Sequence, residues 1–151
     1  MNGAHLHLVL NHLPVVLAPT ALIVLALGLW RRNEEFIKVG LGLFVAASLL
    51  AIPAYLTGEP AESVVARYSG VTMENIERHE GAATGALVAI ILAGLVSLTH
   101  LVREWRRGDA PPWLVPMALI LGLLATVWLG VAANLGGHVR HQELRDMRPN
   151  L

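Results

Sequence analysis

The sequence predicts an all-α integral membrane protein, a bundle of four transmembrane helices, and two observations carry that prediction. Of its 151 residues, 55% are hydrophobic and only 15% are charged, below the ~25% charge of an ordinary soluble domain. The charges are also confined: none occurs from Met1 to Trp30, Val39 to Gly58, Gly81 to Val102 or Ala110 to Val139. Each stretch reaches or nearly reaches the ~20 residues that cross ~30 Å of hydrocarbon as a helix. Backbone groups in lipid need partners within their own element, and the alternation of a barrel strand is absent, so the spans are helices. Short connections leave room for a single domain over residues 1–151.

Span one is placed at about 5–30, with Pro14 and Pro19 inside it; proline removes a backbone hydrogen bond, so a kink is expected near Pro14. Its start lacks the basic segment of a secretory signal and holds three histidines, so it is read as a retained span. Arg31-Arg32-Asn33-Glu34-Glu35 makes a charged turn into span two, about 36–56, which ends at Thr57-Gly58-Glu59-Pro60. The polar stretch from Glu59 to Glu80 follows, with Glu62, Ser63 and Glu74 read as loop residues and Thr72 as the N-cap of the helix leading into span three, about 78–103. Arg106-Arg107-Gly108-Asp109-Ala110-Pro111-Pro112 turns the chain into span four, about 113–140. Trp30, Trp105 and Trp113 read as an aromatic belt at one interface, and Trp128 as packing. No repeat is visible, although the two hairpins have the layout of a pseudo-twofold pair about the membrane normal.

Orientation is read from the charges. The two short turns carry Arg31, Arg32, Lys38, Arg103, Arg106 and Arg107 against four acids; the opposite side carries Arg67, Arg78, Arg140, Arg145 and Arg148 against seven. This places the short turns in the cytoplasm and both termini outside, in a multi-pass protein of the bacterial cytoplasmic membrane.

Several function classes drop out. A net charge of zero offers no surface for nucleic acid. The absence of cysteine removes disulfides, thiolate metal sites, iron–sulfur clusters and c-type haem. Ser63 and Ser69 lack a nucleophile elbow, and the two aspartates, Asp109 and Asp146, fall on opposite sides, which disfavours a hydrolytic triad. No ionisable residue stands at mid-membrane to serve transport.

What remains is a gathering of imidazoles and carboxylates at the outer face. His5, His7, His12, His79, His138 and His141 lie there with Glu59, Glu62, Glu77, Glu80 and Glu143, whereas His100 stands alone at the other face. His5 and His12 share one helical stripe, and Asn134, His138 and His141 share another. Gly136-Gly137 would let a neighbouring helix or a bulky cofactor come close. His79 and Glu80 project at different azimuths, so one mononuclear ion cannot take both without a distortion. Imidazole with carboxylate suits iron, copper or zinc. Polar groups near a bilayer pair, face the interior or mark function.

Asn11-His12-Leu13-Pro14, Thr57-Gly58-Glu59-Pro60-Ala61-Glu62, Ile76-Glu77-Arg78-His79-Glu80 and the run from Asn134 to Glu143 together resemble a group of small uncharacterised bacterial four-span membrane proteins. The resemblance implies that His12, Glu59, His79, Glu80, His138, His141 and Glu143 belong to one site. A distant likeness to four-helix b-type cytochromes is also noted; the chain departs from their dihaem pattern in having no cytoplasmic-end histidine except His100.

Three functions follow as expectations. The first is a His/Glu transition-metal centre (iron, copper or zinc, mononuclear or dinuclear) at the extracytoplasmic end, serving metal handling or a membrane oxidoreductase. The second is a bis-histidine b-type haem, with His12 or His79 opposite His138 or His141, passing electrons between quinol and a periplasmic carrier. The third is a structural subunit of a larger membrane complex or homo-oligomer. The expected common partner is the lipid bilayer.

Overall fold

Described residues 3–66 and 71–140 of the computed structural model form five helices: α1 (Gly3–Arg31), α2 (Glu34–Leu56), α3 (Gly58–Val65), α4 (Met73–Arg107) and α5 (Leu114–Arg140). Four segments are long and apolar enough to cross a membrane, His5–Arg31, Glu34–Val64, Met73–Arg107 and Leu114–Val139, and there is no strand among the described residues. The expected fold class is therefore the observed one. α1 passes through Pro14 and Pro19 as one continuous helix. The polar connection departs from expectation: α3 makes Glu62 and Ser63 helical rather than loop residues. Its length of 8 residues gave the periodic signal too few turns to register.

Local chemistry explains the boundaries. The Asn33 side chain accepts the Phe36 N–H at 3.0 Å, and Glu34 and Glu35 occupy the positive end of the α2 dipole. Thr72 caps α4 as expected, accepting the Asn75 N–H at 3.3 Å. Gly108 ends α4 with φ 63°, its N–H donating to the Glu104 carbonyl at 3.0 Å. Arg32 adopts φ 51° in the first turn without being glycine. Left-handed backbone costs a side-chain-bearing residue ~1 kcal/mol. Thus Arg32→Gly is expected to raise, and Gly108→Ala to lower, the unfolding free energy measured in detergent, by about 1 kcal/mol each.

The four long helices form a ring in which α1 packs on α2 and α5, and α4 on α2 and α5, leaving α1 diagonal to α4. The core is built of small side chains, Ala18, Ala21, Ala47, Ala51, Ala86, Ala93, Ala118 and Ala125, with Leu25, Leu41, Phe44 and Ile90 as its large fully buried members. Outside, Val16, Ile23, Leu49, Val88, Ile120 and Val127 are exposed. This distribution suits lipid: outward apolar side chains meet hydrocarbon, and small inward residues let helices approach. Gly40 lies so close to α1 that a Cβ there would stand 2.7 Å from the Leu25 nitrogen, and the Phe44 ring crosses the bundle into the notch left by Gly122.

The buried register reveals a repeat that residue identities hide. On α1 the inward stripe is His7, Asn11, Pro14, Ala18, Ala21 and Leu25; on α4 it is His79, Ala83, Ala86, Ile90, Ala93 and Ser97, each 72 positions later. On α2 and the first residue of α3 it is Gly40, Phe44, Ala47, Ala51, Ala54 and Gly58; on α5 it is Ala118, Gly122, Ala125, Leu129, Ala132 and Gly136, each 78 positions later. Every one of these residues is buried or half-buried. The two hairpins are thus pseudo-equivalent, and the extra six positions between the offsets are taken up at the short turns.

Candidate functional site

The decisive choice is made by the azimuth of α1. His5 and His12 fall on a stripe with Val16, Ile23 and Trp30, all exposed, whereas His7 falls on the buried stripe. Its Nδ1 lies 2.9 Å from the Ala54 carbonyl oxygen and 3.3 Å from Thr57 Oγ1, joining α1 to the end of α2. In the second hairpin, His79 Nδ1 lies 2.9 Å from the Ala132 carbonyl oxygen, joining α4 to α5. These two bonds are counterparts under the pseudo-twofold relation.

Glycine makes both bonds accessible. A helical side chain leans toward the N-terminus and covers the turn before its own Cα, so the residue four after a carbonyl would shield it. Those positions are Gly58 after Ala54 and Gly136 after Ala132. A Cβ at Gly136 would stand 3.1 Å from His79 Cε1, and one at Gly58 would stand 3.8 Å from His7 Cε1. Gly136, expected to admit a helix or cofactor, seats an imidazole.

The bonds also assign the protons. A carbonyl oxygen only accepts, so Nδ1 of each ring carries a hydrogen, and in the neutral form of the ring the lone pair is on Nε2. An imidazole whose Nδ1–H is held by a carbonyl is the arrangement that orients metal-ligating histidines. The described structure therefore turns two imidazoles inward, one from each hairpin and from diagonal helices, each with its Nδ1 held by a backbone carbonyl.

The remaining expected ligands are distributed differently. His12 is exposed, and its Nδ1 donates to the Leu8 carbonyl of its own helix at 2.6 Å. His138 is half-buried with its Nδ1 on the Asn134 carbonyl at 2.9 Å; two positions past Gly136, it projects roughly 200° away from the His79 seat. Glu59 is exposed on α3. Glu80 is exposed and Glu62 of α3 half-buried, their carboxyl groups near one another between α4 and α3. Glu62 is half-buried rather than a freely solvated acid. Glu74 is exposed and pairs with Arg78 at 2.6 Å. His141 and Glu143 lie outside the described residues. Among the described residues, no group of three or more His, Cys, Asp or Glu side chains is placed to hold a metal ion.

His7 is the site residue that sequence reasoning passed over. A signal was available: His7, Asn11, Pro14, Ala18 and Ala21 follow helical spacing through small residues, and Ala-x-x-x-Gly occurs at 54–58 and again at 132–136. The terminal end is further held by Tyr55 Oη, 2.9 Å from Thr84 Oγ1 between α2 and α4, and by α3, which packs on α1 with Ala61 buried.

The family model described as "Predicted membrane protein (DUF2231)" matches residues 3–143, a range that takes in all four spans and both inward histidines. The chain belongs to this family. No curated protein and no solved structure shows a significant match. The DUF2231 match and the four apolar helices agree on a multi-pass membrane protein in contact with the bilayer.

Proposed function

We propose that this DUF2231 protein binds a transition metal (iron, copper or zinc) at the end of the bundle that carries its termini, on the extracytoplasmic side of a bacterial inner membrane, for redox chemistry or metal handling. The observation that carries the reading is the paired anchoring of His7 on Ala54 and His79 on Ala132, which leaves two Nε2 lone pairs available from opposite hairpins. Glu62 and Glu80 supply oxygen donors at the same end, and a ligand set of neutral imidazole with carboxylate suits these metals. His141 and Glu143 remain ligand candidates, as do His12, Glu59 and His138 if their helices rotate on binding.

A second reading is supported by a feature of its own. An inward imidazole from each hairpin, His7 and His79 on diagonal helices, matches the protein contribution a b-type haem requires, because the porphyrin supplies the other four nitrogens. Such a haem would pass electrons between quinol and a periplasmic carrier. Metal analysis and an absorption spectrum of protein purified from membranes separate the two. About one transition-metal ion per chain with weak visible absorption supports the first reading. A Soret band that sharpens on reduction supports the second. Trace metal and no chromophore overturns both and leaves a structural subunit of a membrane complex.

A further inference from the structure

At the opposite end, where the short turns lie, a cleft of about 660 Å³ is lined by Lys38 of α2 and by His100, Leu101, Val102, Glu104 and Trp105 of α4. Its size falls within the range of small-molecule sites. Val102 and Trp105 are exposed on the bare chain, Trp105 by 84%, beside the exposed Lys38 and Glu104, so the mouth of the cleft carries apolar and charged groups together. An amphiphile, with a polar head and an apolar tail, matches such a mouth.

The polar groups define what the cleft accepts. His100 Nδ1 is sealed inside the protein without a hydrogen-bond partner. Orphaned buried N–H groups are rarer in folded proteins than buried acceptors without a donor, which favours the proton of the neutral ring on Nε2, the reverse of His7 and His79. Lys38 is a second donor, held by Glu35 at 3.0 Å. Glu104 Oε2 is engaged by the Ala110 N–H at 3.4 Å. The cleft therefore presents two donors, His100 Nε2–H and the Lys38 ammonium, beside the remaining oxygen of Glu104. It is not a cationic site, because Glu34, Glu35 and Glu104 all lie within electrostatic reach of Lys38. A phosphate headgroup is disfavoured by that balance. A neutral planar ring with carbonyl oxygens is favoured, and the Trp105 indole offers it a stacking face.

We propose that this cleft binds the head of a lipid-soluble quinone, with His100 and Lys38 donating to its carbonyl oxygens and Trp105 flanking the ring. The proposal concerns binding and stands independently of any metal at the far end. Its test is photolabelling of the protein in phosphatidylcholine nanodiscs with a short-chain azidoquinone, followed by peptide mapping. Label is expected to concentrate on the peptides carrying Lys38 and residues 100–105, and to fall more than tenfold in His100→Leu and severalfold in Lys38→Met. His79→Ala is expected to leave it unchanged. Label spread along all four lipid-facing surfaces overturns the proposal, as does undiminished labelling in both His100→Leu and Lys38→Met. Displacement of the probe by phosphatidylglycerol as effectively as by unlabelled quinone would also overturn it, marking an anionic-lipid site instead. Lys38 is exposed, so Lys38→Met keeps the test valid even where His100→Leu disturbs folding.

Discussion

Metal occupancy in His79→Ala and in His7→Ala is expected to fall below a tenth of that of the unaltered protein, while His12→Ala retains it. Each inward histidine supplies one Nε2 lone pair whose direction is set by an Nδ1–H···O=C bond of 2.9 Å. Removing even an outer partner of a metal-bound histidine costs ~10–100-fold in affinity, and removing the ligand itself exceeds that. His12 lies on the lipid-facing stripe and bonds its own helix, so its loss leaves the pair intact. Gly136→Leu provides a check that leaves both ligands in place. Since a Cβ at that position already approaches His79 Cε1 to 3.1 Å, a larger side chain pushes the ring from the Ala132 carbonyl, and occupancy falls ~10-fold or more. Mass-spectrometric metal content per chain, with unfolding midpoints measured in parallel, reads all four variants. Full occupancy in both His7→Ala and His79→Ala defeats the assignment. His138→Ala and Glu80→Ala then decide whether those residues join the centre: loss in the former extends the ligand set to α5, and loss in the latter alone favours the non-haem form.

The second large effect is mechanical. Gly40→Ala is expected to destabilise the bundle by about 3 kcal/mol and Gly122→Ala by only about 1 kcal/mol, within the range for overpacked cores. The order is the informative part. An added methyl at Gly122 meets the far end of the Phe44 ring, a side chain that can turn aside. At Gly40 the added atom meets the Leu25 backbone, with its nitrogen at 2.7 Å and its Cα at 2.8 Å. Backbone cannot rotate away, so α1 and α2 must separate along their length and give up dispersion contacts on both sides. Equilibrium unfolding in mixed detergent measures the difference; a larger effect at Gly122 would contradict this account.

Long uncharged runs and the placement of charge were enough to read four helices, the cap at Thr72 and the accumulation of histidine at one end. Helix α3 was missed because its 8 residues carry Gly58, Glu59 and Pro60, which in isolation signal a turn. The candidate site was legible only in part. His79 stood out beside charged neighbours, whereas His7 was overshadowed by His12, whose adjacent Asn11 and Pro14 suggested an interior position. Asn11 and Pro14 do face inward, and His12 is the residue between them that faces out.

Composition and spacing by themselves settled that the chain is helical, that it crosses a membrane in four passes and that its imidazoles gather at one end, because lipid demands long uncharged helices and admits little else. Which imidazoles turn inward was decided only by tertiary packing. Rotation of a membrane helix about its axis is governed by which face carries small residues against its neighbours, and lipid is indifferent among apolar side chains. The partners of His7 and His79 are backbone carbonyls 47 and 53 residues away. No side-chain identity marks a carbonyl in the chain, so the anchoring emerges only when the hairpins close.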